Sequence, residues 1–333
     1  MFIIMSISIS NKQFQQQNSQ PRVAVSACLL GQRVRYDGNQ KQHAFVCQQL
    51  QKWLNLEAIC PEVEIGMGVP RPAIQLVEMA GHIKAVGVEQ AGLDVTQQLN
   101  CFGRKTAQQL SDLDAYIFKA RSPSCGVAST PIKHSDGRCK RGAGLFAAQI
   151  MRQLPLLPVV EESKLETFAQ QLNFLQRVAA HQRWRGLVQQ FPSWAELMRF
   201  HHLNRLLLMA HGVEGLRNLD SWLTRFAKNG RVSKKLLQGY GQQYMAQFTR
   251  LATRRRQISV LQRTARLLRP VITVKQYSSL QDLIKKYSQA GCSLFKVVSR
   301  LQKFQRVATL PELEGQSYFD QEIKFSCFIY ENQ

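Results

Sequence analysis

Residues 23–31 have the sequence VAVSACLLG, and the prediction of the fold begins from this stretch. Its first residues favour β-structure, and the apolar run is short enough to form a single buried strand. Cys28 stands near the end of this run, three residues before the glycine that closes it. We therefore predict a first buried strand with a cysteine near its carboxyl end.

Similar signals recur downstream, where strand and helix patterns alternate. Short apolar runs predict strands at 56–59, 83–88, 115–119 and 156–160, and helical spacing predicts helices at 44–54, 95–113 and 144–154. Such alternation is typical of parallel sheets, because a crossover must bring the chain back before the next parallel strand can start. We predict an α/β domain over residues 21–160, with a mostly parallel sheet and helices on both faces.

The rest of the chain has a different pattern. From Leu165 onward, apolar residues recur at helical spacing, and glycine and proline become sparse between long periodic stretches. A length of 333 residues also favours two domains over one. We predict a second, mainly α-helical domain over 161–333, with the boundary near 155–163. Residues 1–20, rich in Gln, Asn and Ser toward their end, are predicted to be a disordered lead-in.

The net charge of +22 is unevenly distributed, because residues 161–333 contribute +15 of it. A strongly basic domain attracts polyanions, and nucleic acid is the most common of these. The apolar stretch near the start is far too short to span a bilayer and lacks the basic residues of an export signal. The chain is therefore predicted to be cytoplasmic, with no membrane partner.

Three of the eight cysteines lie near the end of a predicted strand or just after one: Cys28, Cys60 and Cys125. In an open parallel sheet the carboxyl ends of the strands share one edge, where ligands bind, so these thiols can converge. Without an export signal, metal binding or catalysis is a better interpretation than disulfides. Spacing alone is weak evidence, because a single cysteine after a strand is usually structural.

Six separated motifs strengthen the three-cysteine hypothesis. They are Ser26-Ala27-Cys28-Leu29-Leu30-Gly31, Arg35-Tyr36-Asp37-Gly38, Cys60-Pro61-Glu62-Val63, Pro70-Arg71, Asp94-Val95-Thr96 and Ser122-Pro123-Ser124-Cys125-Gly126. Together, and in this order, these motifs resemble the thiouracil desulfidase family over about residues 22–160. The resemblance implies a 4Fe-4S cluster held by Cys28, Cys60 and Cys125. Three thiolates leave one iron with an open position, which suits Lewis-acid activation of a soft thiocarbonyl sulfur. The implied reaction is hydrolytic removal of sulfur, with no electron transferred.

Water attack needs a base, and the departing ring needs a proton. The candidate catalytic residues are Glu62, Ser122 and Asp37, which lie in or beside the motifs. Each has a structural alternative: an ion pair with an arginine for Glu62, a cap of its own loop for Ser122, and a turn for Asp37. Three arginines of the same segments are predicted to bind substrate, although they could instead pair with carboxylates: Arg35, Arg71 and Arg121.

The helical half resembles the YbgA-type accessory domain that accompanies some thiouracil desulfidase domains. The motifs that carry this resemblance are Arg183-Trp184-Arg185, Phe200-His201, Leu208-Met209-Ala210-His211 and Ala252-Thr253-Arg254. Guanidinium groups suit phosphate contacts, since each can bind two oxygens. The predicted RNA-binding residues are Arg183, Arg185, Arg254, Arg255, Arg256 and Arg263.

One predicted helix in this half is amphipathic. Its apolar face is expected to contain Ile258, Leu261, Ala265 and Leu268, although Val260 interrupts the arginine-rich face opposite.

The two-domain combination resembles enzymes that remove sulfur from 4-thiouridine in transfer RNA. We therefore predict a desulfidase with transfer RNA as partner and no DNA partner. One alternative is an enzyme that acts on free thiouracil or thiouridine nucleotides. Another is a non-enzymatic iron–sulfur RNA-binding sensor. The first hypothesis predicts that deletion of residues 161–333 spoils activity on RNA but spares activity on small thiopyrimidines.

Overall fold

The computed structural model describes residues 20–134, 136–227, 230–307 and 310–319. Residues 1–19 of the predicted lead-in lie outside this described part. The N-terminal region contains the following strands and helices: β1 (Arg22–Ser26), β2 (Asn55–Ile59), α1 (Pro61–Glu64), β3 (Ile74–Met79), β4 (His82–Gly87), α2 (Thr96–Gln109), β5 (Ala115–Phe118), β6 (Thr130–His134), β7 (Cys139–Gly142), α3 (Leu145–Gln153) and β8 (Val159–Glu161).

The main sheet has the strand order β2-β1-β5-β8, and every pair of neighbours is parallel. One face packs Val25 and Ile117 against Val46, while the other packs Phe118 against Phe146 of α3. The predicted α/β class, with a parallel sheet covered on both faces, is therefore confirmed. The helix predicted at 44–54 is reduced to two short helical turns, Phe45–Gln49 and Leu50–Lys52.

A second sheet, with the order β4-β3-β6-β7, was not predicted. The strand predicted at 83–88 is present as β4, but it pairs antiparallel with β3 outside the main sheet. Ala80 and Gly81 link these strands, and both have positive φ, which is the backbone of a tight two-residue hairpin loop. β6 then pairs parallel with β3 and antiparallel with β7.

The rest of the described chain is mainly helical, as predicted. Its helices are α4 (Phe168–Val188), α5 (Trp194–Leu203), α6 (Arg205–His211), α7 (Val213–Ala227), α8 (Lys234–Gln247), α9 (Arg254–Leu268), α10 (Val274–Ser288) and α11 (Leu294–Val307). Reciprocal capping boxes start α4, α5 and α10, in which a Ser or Thr and a Glu or Gln satisfy the first free N–H groups. Among the described residues, no helix combines the length and the apolar character that a bilayer crossing requires.

Helix α4 belongs to the hydrophobic cores of both halves. Phe174 and Val178, in its first half, pack with the sheet residues Val25 and Ile117, whereas Trp184 packs in the helical core. The predicted boundary near 155–163 therefore marks a change of secondary structure but does not separate the two cores. A protein cut at residue 160 would lose part of the α/β core, so the predicted deletion must retain α4 to test RNA binding.

Candidate functional site

The three cysteines Cys28, Cys60 and Cys125 line a single cavity of about 740 Å³ at the carboxyl edge of the main sheet. Cys28 lies in a helical turn after β1, Cys60 is the residue between β2 and α1, and Cys125 lies in the loop after β5. Because β1 lies between β2 and β5, the three chain segments leave the sheet side by side. The parallel topology thus brings together thiols that are far apart in sequence.

The cysteines are poorly accessible, with Cys28 9% and Cys125 5% exposed. Burial raises the pKa of Cys28 to about 11 and raises that of Cys125 well above its usual value, because a thiolate is poorly solvated there. Thiols in such an environment are neutral unless a cation compensates the charge of the thiolate. The cavity therefore offers three soft sulfur donors that need a positively charged partner to ionise.

The number and type of these donors bear on the kind of metal centre that they could hold. No group of three His, Cys, Asp or Glu side chains within the described ranges is close enough to hold one metal ion. In an iron–sulfur cluster each thiolate binds a different iron, so its ligands stand further apart than those of one ion. The three soft sulfur donors that line one cavity fit the ligand set of an iron–sulfur cluster.

The loop that carries Cys125 is built around Ser122. The Ser122 hydroxyl accepts the N–H of Ser124 at 3.3 Å and that of Cys125 at 3.1 Å, and its carbonyl accepts the Gly126 N–H at 2.9 Å. A Cβ on Gly144 would lie 2.5 Å from the Ser124 carbonyl carbon, so only glycine permits this approach. Ser122 thus shapes the loop of a thiol while it also lines the cavity.

Glu62 is held by two hydrogen-bonding partners. Arg71 donates from Nε and one Nη to a single carboxylate oxygen, at 2.9 and 2.6 Å, and the Ser124 hydroxyl donates to the other oxygen at 2.8 Å. A carboxylate has about four lone-pair sites, so these contacts leave room for one further donor such as water. Arg71 also lines the cavity, but three of its five N–H groups are engaged by this ion pair and by the Gly68 carbonyl, which supports the ion-pair alternative.

Substitution of Glu62 by Ala is expected to lower the free energy of unfolding by about 3 kcal/mol, because it leaves the Arg71 charge buried without its partner. The Arg71 side chain is only 3% exposed, so water cannot replace the lost carboxylate. Glu64→Ala is the matched control, because Glu64 is exposed on the same short helix. Urea denaturation of both proteins measures the difference, and equal losses would contradict the importance of this ion pair.

The remaining predicted residues of the α/β domain have different positions. Asp37 accepts the Asn39 N–H at 3.1 Å and pairs with Arg35 at 3.3 Å, and it is not among the residues that line the cavity. The structure therefore supports the turn alternative for Asp37 rather than proton transfer. Arg35 and Arg121 both line the cavity, and the exposed Arg121 guanidinium has no hydrogen-bond partner in the described part of the chain.

Sequence reasoning missed the contribution of β8 to the site. Glu162, which follows this strand, lines the cavity and pairs with Lys119 at 2.5 Å. Its neighbour Glu161 is buried; although burial opposes ionisation, three backbone N–H groups and the Ser129 hydroxyl hold the pKa of Glu161 below its usual value. The signal was available, because an acidic pair directly follows the predicted strand at 156–160.

His43 is a further cavity residue that the sequence did not identify. Its ring lines the same cavity, and its buried Nδ1 has no hydrogen-bond partner among the described residues.

Two of the predicted RNA-binding arginines lie at internal contacts. Arg185 donates from Nε and one Nη to the buried Asp114 at 3.2 and 2.9 Å, which links α4 to the chain just before β5. Arg183 donates to the Asn204 side chain at 3.2 Å. These contacts oppose a primary role of Arg183 and Arg185 in phosphate binding.

The other four predicted RNA-binding arginines lie on α9 and differ in their contacts. Arg254 stacks over the Tyr287 ring at 5.3 Å, and Arg256 donates to the Leu251 carbonyl at 2.9 Å. Arg255 and Arg263 are exposed. The apolar face of α9 also differs from the prediction, since Val260 is fully buried and Ile258 only partly so.

Comparison with known proteins gives matches in both halves of the chain. Residues 23–162 match the sequence model of the 2-thiouracil desulfurase family, and residues 205–321 match a family of unknown function, DUF1722. A solved 4Fe-4S-dependent thiouracil desulfidase, TudS, is 30% identical over 46% of this chain and 97% of its own, with a TM-score of 0.36. No curated protein sequence matches the chain.

Proposed function

The chain belongs, through residues 23–162, to the 2-thiouracil desulfurase family and is a desulfidase, and from this premise we propose that it converts 4-thiouridine in transfer RNA to uridine and sulfide. The observation that carries the proposal is the cavity that Cys28, Cys60 and Cys125 share, with the cationic side chains of Arg35 and Arg121 on its lining. The three thiols supply the ligands of a 4Fe-4S cluster, and the two arginines face the incoming substrate.

The cluster, when bound, supplies a Lewis-acidic iron with affinity for sulfur. The protein's own residues then act on the water and the pyrimidine. Glu62, oriented by Arg71 and Ser124, has one free lone-pair site with which to orient a water molecule. The ion pair between Lys119 and Glu162 also lines the cavity, and the Lys119 ammonium is a donor suited to supply a proton as the C–S bond breaks and sulfide leaves.

RNA as the substrate explains the charge of the molecule. The helical half carries +15, which a free nucleobase does not require but a polyanion uses for affinity. A base inside a folded RNA must leave its stack to reach a buried site, as in other enzymes that modify bases. The exposed Arg121 at the cavity is suited to the phosphate beside such an extruded nucleotide.

Free thiouracil is the second candidate substrate. It is favoured by the similarity to TudS, a thiouracil desulfidase whose whole length corresponds to less than half of this chain. This candidate leaves the basic helical half without a role in substrate binding.

The test is sulfide release by the full chain, reconstituted with iron and sulfide under argon. Thiolated transfer RNA and free thiouracil are compared, and the near-ultraviolet absorbance of 4-thiouridine follows turnover. We expect the higher kcat/KM with RNA. Turnover of thiouracil alone would move the substrate to small molecules. No turnover of either, with a cluster bound, would favour the sensor hypothesis.

A further inference from the structure

Helices α10 and α11 form a basic groove of about 830 Å³ that no motif of the sequence analysis identified. Four cations and one carboxylate line it, together with two serines: Lys275, Lys286, Lys296, Arg300, Asp282, Ser278 and Ser279. The charged residues are all exposed, and none of them forms an ion pair with another described residue. The groove therefore presents a local excess of positive charge that the described part of the protein does not neutralise.

The arrangement of these cations is elongated. Lys275 and Lys286 are eleven residues apart on α10, so they share a face and lie about 16 Å apart along the helix axis. Lys296 and Arg300 are four residues apart, so they also share a face of α11. A single phosphate cannot reach both ends of such a row. A chain of phosphates can, and the serine hydroxyls offer additional donors to its oxygens.

Residues that line a second depression lie close in sequence to residues of the groove and of the cysteine cavity. A second depression of about 570 Å³ contains Phe168 at the start of α4 and Tyr287 at the end of α10. Phe168 is two residues from Glu166, which lines the cysteine cavity, and Tyr287 follows Lys286 of the basic groove. A polymer is better suited than a small anion to occupy surfaces distributed in this way.

We propose that the α10–α11 groove binds the phosphate backbone of the RNA whose thiolated base enters the cysteine cavity. This inference rests on the proposed RNA substrate and makes it specific. Two of the α9 arginines, Arg254 and Arg256, already have partners within the protein, whereas the groove cations are available. The groove therefore offers exposed cations to the RNA backbone in addition to Arg255 and Arg263, which are exposed on α9.

The test measures the affinity of the full chain for a transfer RNA transcript between about 50 and 200 mM salt. The groove variant is Lys286→Gln/Lys296→Gln, and the control is Arg217→Gln/Arg225→Gln, which removes the same charge from exposed positions of α7. We expect the groove variant to bind about tenfold or more weakly at low salt, with a salt slope smaller by about 2. The control should match the wild type, and turnover of free thiouracil should stay unchanged in both.

The possible outcomes distinguish failure of the groove proposal from failure of the proposed RNA substrate. If RNA affinity fell equally in the groove variant and the control, RNA would be attracted by the overall positive charge, and the proposal that the groove is its binding site would be overturned. Unchanged affinity in the groove variant, with a wild type that binds RNA, would overturn the groove alone. A wild type that does not bind transfer RNA would overturn the groove and the RNA substrate together.

Removal of the groove's single carboxylate gives a test of opposite sign. Asp282→Asn should tighten RNA binding a few-fold, because it removes a repulsion from the phosphates without loss of volume. Weaker binding by this variant would count against RNA in the groove.

Discussion

The Cys125→Ala protein is expected to lose both its cluster and its activity. Substitution of residues that only support metal ligands already lowers metal affinity or activity by about 10- to 100-fold. Loss of a ligand itself should therefore reduce turnover by more than about 100-fold. Cys125 is 5% exposed and lies at the cavity with the other two thiols, so its substitution removes one of the three sulfur donors there. Iron content, acid-labile sulfide and sulfide release are measured on the same reconstituted sample.

The Cys139→Ala protein is the matched control for that experiment. Cys139 is exposed on β7 and lies outside the cavity, so its loss should leave iron content and turnover unchanged. If both variants bound a full complement of iron, the assignment of Cys125 as a ligand would fail. If Cys125→Ala kept its iron and lost turnover alone, the thiol would act in the reaction rather than in holding the cluster.

The Asp114→Ala protein is expected to be less stable by about 3 kcal/mol, because removal of one member of a buried ion pair leaves the other uncompensated. The Asp114 side chain is 1% exposed, accepts the Arg22 N–H at 3.0 Å and pairs with Arg185 at 2.9 Å. This contact joins α4 to the start of β5, an inner strand of the main sheet. The free energy of unfolding in urea measures the effect.

Asp112→Ala provides the comparison two residues away. Asp112 pairs with Arg22, but its side chain is 47% exposed, and such surface pairs contribute less than about 1 kcal/mol. Equal losses in the two proteins would show that burial of Asp114 does not decide its contribution. The Arg185→Ala protein should resemble Asp114→Ala in stability, an outcome not expected of a residue that only contacts RNA.

The local elements of the fold were predictable where the pattern is strong. The apolar runs at β1, β2 and β5 and the helical spacing of α2 and α3 are local properties, because each depends on residues a few positions apart. The second sheet was missed for the opposite reason. β6 and β7 are short and partly exposed, and β6 pairs with the distant β3, so no local run distinguishes them from loops.

The contacts of the predicted site residues also fall into those that the sequence suggested and those that it did not. Glu62 and Arg71 are nine residues apart, and their ion pair was among the alternatives considered from the sequence. Arg185 and Asp114 are 71 residues apart, and nothing in the Arg183-Trp184-Arg185 motif indicates an internal partner. An arginine seen only in sequence is a potential phosphate ligand until a buried carboxylate is placed next to it.

The sequence by itself determined the alternation of strands and helices, the position of each of the three cysteines after a strand, and the motifs of the desulfidase family. These are properties of short segments, encoded in residue type and period. Only the tertiary structure decided which charges are neutralised and which are not. It paired Arg71 and Arg185 with carboxylates, joined α4 to two cores, and left the cations between α10 and α11 without ion pairs to any described residue. The physical reason is that an ion pair or a groove depends on distance in space, which the order of residues along the chain does not specify.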